Sequence, residues 1–314
     1  MAVPFENWPE TDRTIAYSLK VTNELNQVPG KLTQVFDASN SGMCTGTIKV
    51  LEDRFDIINL ETQNARADDT NYIDIGNVRR AIRKRKPADA AVLVGRHDIQ
   101  ASDVPIESVP PQRLADAVRR YHDDAFFDPT GGFYGNAYTG EYGATAVPFT
   151  PGNIVPAGAA GITKTKLQAL MKLYNDNDVD TEMEEPILII DNQGLVDLQN
   201  IPEFANWDYN SDRPLMRGEL PTGRGFMGFR YIRANILSAR GYPSAPGTVV
   251  PAANQISLPS FVPSGLYRGI WTEFFYRAGE NPAKKYQMQQ YGEACSAITR
   301  IDEKRCFQMV CTGR

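Results

Sequence analysis

Few residues of this chain have the type and spacing to do chemistry, and each candidate set stops short of being complete. The 314 residues include two histidines, His97 in GRHD and His122 in YHDD. An imidazole can serve as general base or metal ligand near neutral pH. Neither histidine has a nucleophile or further ligands at a working spacing, and no HExxH or GxSxG run occurs. Both therefore read as surface or helix-edge histidines without a chemical role. Gly218 and Gly223 have the spacing of a phosphate-binding loop, but Arg224 and Gly225 follow where a lysine and a hydroxyl residue are required. Those glycines better suit a tight turn before FMGFRYIRAN. The adjacent carboxylates Asp123–Asp124 and Glu184–Glu185 point to different sides of any element and read as solvated charges. Cys44, Cys295, Cys306 and Cys311 show no CxxC spacing and read as reduced, semi-buried thiols, a disulfide or zinc site being the alternative. If Asp302–Glu303 is a two-residue turn, Cys295 faces Val310 and Cys306 faces Thr299, so no two thiols meet. The expectation is a protein that is not an enzyme and that needs no cofactor or metal.

The strongest pattern is one of charge. From 46 to 90 the chain is acidic going out, with Glu52, Asp53, Asp56, Glu61, Asp68, Asp69 and Asp74. It is basic coming back, with Arg79, Arg80, Arg83, Lys84, Arg85 and Lys86 in RRAIRKRK. On charge alone this is a solvated loop or a nucleic-acid patch. The formal net charge of −5 argues against a free-standing duplex-binding protein, which needs a concentrated basic face.

The elements that must position these charges are legible in part. In GITKTKLQALMKLYNDNDVD (161–180), Leu167, Leu170, Met171 and Tyr174 form one buried stripe of a helix, and Thr163 or Thr165 can cap it. Ile187–Ile190, bounded by Pro186 and Asp191–Asn192, reads as a buried strand. A second helix spans 110–127, with Leu114, Ala117, Val118, Tyr121 and Ala125 on one face and Asp128–Pro129 at its end. It would be roughly 25 Å long. Residues 285–311 read as antiparallel strands around the IDEKR turn. Residues 1–45 are polar with scattered apolar anchors and end in the loose DASNSG (37–42). The stretches 131–161 and 241–265 are rich in Gly and Pro and read as loops or short strands. Hydrophobic residues make up 42% of the chain, enough for a real core. It has no apolar run of about 20 residues and no secretory signal at its start.

TGEYGATAVPF (139–149), the 161–180 helix, ILIIDNQGL (187–195) as a strand, the DYN connector (208–210) and GFMGFRYIRAN (225–235) occur in one order. The tail, NPAKKYQMQQYGEACSAITRIDEKRCFQMV (281–310), follows. This succession resembles the major capsid proteins of tailed bacteriophages with the HK97-type fold, most clearly from about 131 to 310. The resemblance implies an α+β chain with an N-terminal arm (1–45) and an extended E-loop hairpin (46–90). It also implies a discontinuous peripheral (P) domain with a spine helix (91–135 and 265–314) and an axial (A) domain (136–264). It implies self-assembly into hexamers and pentamers of an icosahedral shell, made in the host cytoplasm and enclosing double-stranded DNA without sequence specificity. The partners it implies are further copies of the chain, a separate scaffolding protein, a portal and a cement protein, with no membrane. On this reading the E-loop overlies a neighbour, and Arg79, Arg80, Arg83, Lys84, Arg85 and Lys86 make inter-subunit contacts. The lysine–asparagine cross-link of the founding member matches no position here, Lys84 and Lys86 being the only lysines on the loop-tip side to suspect. The alternatives are an encapsulin-like compartment enclosing cargo protein, and an enzyme or DNA-binding module with an unrecognised site.

Overall fold

The structure is a computed structural model that describes residues 32–51, 54–55, 77–95, 109–128, 131–140, 142–158, 161–202, 225–234 and 255–312. The described chain begins with a short 3-10 turn, Leu32–Val35. Six strands follow: β1 (Ser41–Met43), β2 (Ile48–Val50), β3 (Arg54–Phe55), β4 (Asn77–Val78), β5 (Arg80–Arg83) and β6 (Ala88–Val94). Helix α1 (Val109–Asp124) runs into a 3-10 turn at Ala125–Phe127 and stops there, as the Asp128–Pro129 signal predicts. Next come β7 (Ala137–Thr139), β8 (Thr145–Val147), β9 (Ile154–Val155), helix α2 (Lys164–Asp176), β10 (Ile187–Ile190) and helix α3 (Asn192–Gln199). The last strands are β11 (Arg230–Arg233), β12 (Gln255–Phe261), β13 (Leu266–Asn281), β14 (Gln287–Arg300) and β15 (Cys306–Thr312).

A five-stranded mixed sheet, β11-β10-β12-β15-β9, holds the main core. All four residues of β10 are buried, as a short β-branched run in mid-sheet requires. Helix α2 lies on this sheet. Its Leu167, Leu170 and Tyr174 are fully buried, and Tyr174 bonds Ser260 Oγ at 2.8 Å through its hydroxyl. Of the two cap candidates Thr163 serves, its Oγ1 accepting from Lys166 N at 3.3 Å. The strand reading stands, and so does the helix stripe except that Met171 is only partly buried against the core.

Three expectations need correction. The 187–195 strand ends at Ile190, because the Asp191 side chain accepts from Gly194 N at 2.8 Å and starts α3. The 285–311 hairpin does not form around IDEKR. Both edges of β14 are already taken, by β13 and β6, while β15 pairs with β12 and β9 in the other sheet. Asp302–Glu303 also lacks the Gly or Asn that a two-residue hairpin turn demands; instead Asp302 caps a 3-10 turn, Glu303–Arg305, that carries the chain between sheets. Strands β13 and β14 (266–300) and strand β15 (306–312) therefore lie in different sheets. Finally, DASNSG is not loose throughout: Asn40 O accepts from Arg268 N at 2.8 Å, and β1 pairs in parallel with Arg268–Ile270 of β13.

The crossing is secured by Arg300, the last residue of β14. Fully buried, it donates to the carbonyls of Phe133, Gly135 and Val147 and to Glu303. The Gly-rich segment that follows α1 is thus fastened to the corner between the sheets. Phe126, Phe133 and Phe261 pack ring on ring beneath it, centroids 5.3 to 5.9 Å apart.

Candidate assembly surface

The charged hairpin is present at its root. β2 pairs antiparallel with β5, and β3 with β4. β5 continues into β7 and β8, so the root is one edge of a four-stranded sheet, β2-β5-β7-β8. The outbound acidic residues, from Glu52 to Asp74, fall outside the described residues, as do His97, Gly218 and Gly223.

The basic run splits into two groups. Arg80 is buried, and its Nε donates to Ile301 O at 3.2 Å. Arg83 Nη2 donates to Gly143 O at 2.7 Å, with the guanidinium 3.8 Å from the centre of the Tyr138 ring. Arg85 pairs with Asp128 at 2.9 Å and stacks on Tyr121 at 4.7 Å. Burial pushes the Tyr121 hydroxyl up to about 12 although Arg85 pulls it down, so it stays protonated and donates to Lys86 O at 2.7 Å. Arg80 ties the loop root to the corner after β14, and Arg83 and Arg85 hold it to the 131–149 segment and to the end of the spine helix through stacked contacts that lysine could not copy. The side chains of Arg79, Lys84 and Lys86 are exposed. Sequence reasoning gave all six the same role, whereas the fold turns three onto the body.

A second surface escaped the sequence reading. Beyond Ile270, β13 and β14 project as a long hairpin with β6 along its side, and Glu273–Glu280 are exposed without interruption. Phe275 shares a face with Glu293 and Asp89, and the next rows on that face are Arg277–Tyr291–Ala91 and Gly279–Gln289–Leu93. Phe275 is 48% exposed, Leu93 41% and Phe274, on the opposite face, 42%. A signal was available: three consecutive aromatics in EFFY (273–276) must load both faces of a strand, which a half-buried strand does not do. At the hairpin tip, Lys285 and Tyr286 adopt left-handed backbone at φ 55° and 58°, and Tyr286 N bonds Asn281 O at 3.0 Å.

The two carboxylate and histidine readings at the end of α1 also change. His122 is 5% exposed and Asp123 7%, so neither is a solvated surface group. Tertiary partners draw them in: Ser296 Oγ and Glu273 O for His122, and Leu32 N for Asp123. All four cysteines are free, buried thiols. Among the described residues no group of three or more His, Cys, Asp or Glu could hold a metal ion. None of the described helices is long and apolar enough to cross a membrane.

Comparison with known proteins is consistent with this geometry. The capsid of cyanophage P-SCSP1u superposes with a TM-score of 0.66 at 11% identity, over 92% of this chain and 91% of that one. The capsid of cyanophage Pam1 gives 0.62 at 11% identity, over 86% of each chain. The capsid of a native GTA particle gives 0.57 at 13% identity, over 99% and 97%. At such identities the likeness shows the fold, which is the α+β, HK97-like fold of phage capsid proteins. No curated protein sequence matches the chain. A family model described as phage capsid protein does match it, over residues 17–313. The chain belongs to the phage capsid protein family.

Proposed function

We propose that copies of this chain form the hexamers and pentamers of an icosahedral shell enclosing double-stranded DNA, each copy acting as a structural unit and not as an enzyme. The observation that carries the reading is the unbroken exposure of Glu273–Glu280, with aromatic side chains on both faces of a projecting hairpin. A free monomer leaves that apolar surface in water, and association covers it. The neighbour's 46–90 loop is the element we assign to the open β13–β14–β6 face. Its root is fastened by Arg80, Arg83 and Arg85, and we assign the exposed Arg79, Lys84 and Lys86 to face Asp89 and Glu293 of the next copy. Such pairs set register more than affinity.

The lobes follow the sheets. We assign 91–135 and 266–300 to the peripheral lobe, and 154–264 with the returning strand 306–312 to the axial lobe. The 1–45 arm extends the contact set. A scaffolding protein and a portal are the further partners we assign to such a shell, a cement protein being an optional addition, with assembly in the host cytoplasm. With a net charge of −5, the wall attracts packaged DNA weakly, which suits a shell filled by a motor. Expressing the chain with and without a scaffolding protein, followed by sedimentation and negative stain, tests the proposal. Rings or shells are expected; a monodisperse monomer under every condition would refute it.

A further inference from the structure

The last turn of α1 carries two adjacent side chains that reach different parts of the chain. His122 Nδ1 lies 2.7 Å from Ser296 Oγ of β14, and its Nε2 lies 2.8 Å from the Glu273 carbonyl oxygen of β13. A carbonyl oxygen only accepts, so Nε2 carries a hydrogen; in the neutral ring Nδ1 then accepts from the Ser296 hydroxyl. Glu273 sits where the hairpin ladder breaks. Ile270 pairs with Ser296 and Phe275 with Glu293, five steps along β13 against three along β14. The extra residues make two bulges, which take backbone groups off the ladder and bend the strand. His122 supplies the partner for one such group. β13 is buried at Arg268–Ile270 and exposed from Glu273 onward, so these bulges are the bend at which the hairpin leaves the body.

Asp123, the next residue, accepts from Leu32 N at 3.1 Å. That bond fixes the 3-10 turn whose Leu32 and Val35 sit in the main core. The buried Arg268 lies between the two attachments: its backbone N–H bonds Asn40 O, and its guanidinium is in the field of Glu273 and Asp123.

We propose that His122 is a proton-operated pin, whose neutral ring holds the hairpin bend and whose protonation loosens that bend and, through Arg268 and Asp123, the foot of the N-terminal segment. Protonation turns Nδ1 into a donor, so the Ser296 hydroxyl must reverse, and it adds a cation to a buried cluster that already holds Arg268. Of the charged groups around the ring, Arg268 of β13 opposes the imidazolium. The Glu273 carboxylate, also of β13, favours it. On α1 itself, the Asp123 carboxylate is engaged with Leu32 N, and Tyr121 stays neutral. β14 presents the uncharged Ser296. Burial decides the balance and holds the ring below the usual imidazole range. The consequence for a shell rests on the hairpin being a contact surface; the pin itself does not.

Hydrogen–deuterium exchange on the unassembled full-length chain, corrected for intrinsic rates, tests the pin independently of shell formation. An opened ring with an ordinary pKa of about 6.5 favours opening by up to roughly tenfold more at pH 5.5 than at neutral pH, the full factor applying where the closed ring stays neutral. Wild type should therefore lose protection, by up to about tenfold, over 270–281 and 32–44, relative to other segments, between pH 7.5 and 5.5. His122→Gln, which can still donate to Glu273 O but cannot titrate, should show no such change. A flat wild type, or a variant that responds like wild type, overturns the proposal. If the variant does not fold, the nitrogen shifts of His122 in wild type decide: a neutral ring protonated at Nε2 at pH 7 supports the pin. A charged ring or the other tautomer overturns it.

Discussion

Replacing Arg300 by methionine keeps the apolar stem and removes every donor at the corner between the two sheets. The loss can be worked from the structure. Arg300 Nε reaches both Glu303 oxygens at 3.0 Å, Nη1 reaches Phe133 O and Gly135 O at 2.5 Å, and Nη2 reaches Val147 O at 3.3 Å. The guanidinium also lies 5.0 Å from the centre of the Phe149 ring. Each carbonyl left without a partner costs about 1–3 kcal/mol where water does not replace the donor. Glu303, with 14% of its side chain exposed, becomes a nearly buried unpaired carboxylate, and breaking such a pair from one side costs about 3–5 kcal/mol. The terms share one side chain and are not additive, so the expected loss is about 5–8 kcal/mol. That is a large part of the roughly 5–15 kcal/mol that holds an ordinary domain. Arg300→Lys keeps the charge but loses the planar fork, at about 2–4 kcal/mol. Arg300→Met with Glu303→Gln removes the stranded charge and should recover about 2 kcal/mol of the methionine loss. Urea denaturation of the unassembled chain gives these differences, and limited proteolysis should show new cleavage within 131–149. A methionine variant within about 1 kcal/mol of wild type, or a double variant no better than the single one, would refute the reasoning.

Reversing Lys84 and Lys86 to glutamate should leave the monomer's melting temperature nearly unchanged while blocking shells. Arg83→Glu should instead lower the melting temperature, because it loses Gly143 O and the Tyr138 face; equal behaviour of the two variants would dissolve the division between inward and outward residues. Asp191→Ala should destabilise the chain by about 1 kcal/mol, measured by urea midpoint, through loss of the α3 cap. Burial raises the Tyr174 and Tyr231 hydroxyls above the ordinary 10. The folded chain therefore keeps protons that the unfolded chain releases above pH about 10, and stability should fall as pH rises beyond that value. Tyr174→Phe should flatten that alkaline limb in a titration of denaturation midpoints.

Elements set by local periodicity were legible before the fold was seen. Leu167, Leu170 and Tyr174 mark α2 because a stripe at helical spacing needs only one neighbouring surface, and Ile187–Ile190 mark a central strand for the same kind of reason. Features that depend on distant partners were not. Asp123 meets Leu32 across ninety-odd residues of chain, and His122 turns inward because bulges on β13 present it with a free carbonyl. The corner at Asp302 looked like a hairpin turn because the strands on either side are equally apolar; which sheet each joins depends on edges filled by β6 and β12. The basic run was visible as charge, yet Asp128, Tyr121, Tyr138 and Gly143 decide which of its arginines are consumed within the chain. Those partners lie 36 to 60 residues away and carry no local mark.

The measurement closest to the central claim is an electron cryomicroscopy reconstruction of particles purified from cells expressing the chain with and without a scaffolding protein. We predict a closed shell of five- and sixfold rings in which a neighbour's 46–90 loop covers Phe275, Tyr291 and Leu93. A chain that remains monomeric, or a shell in which that face is bare to solvent, would contradict the account.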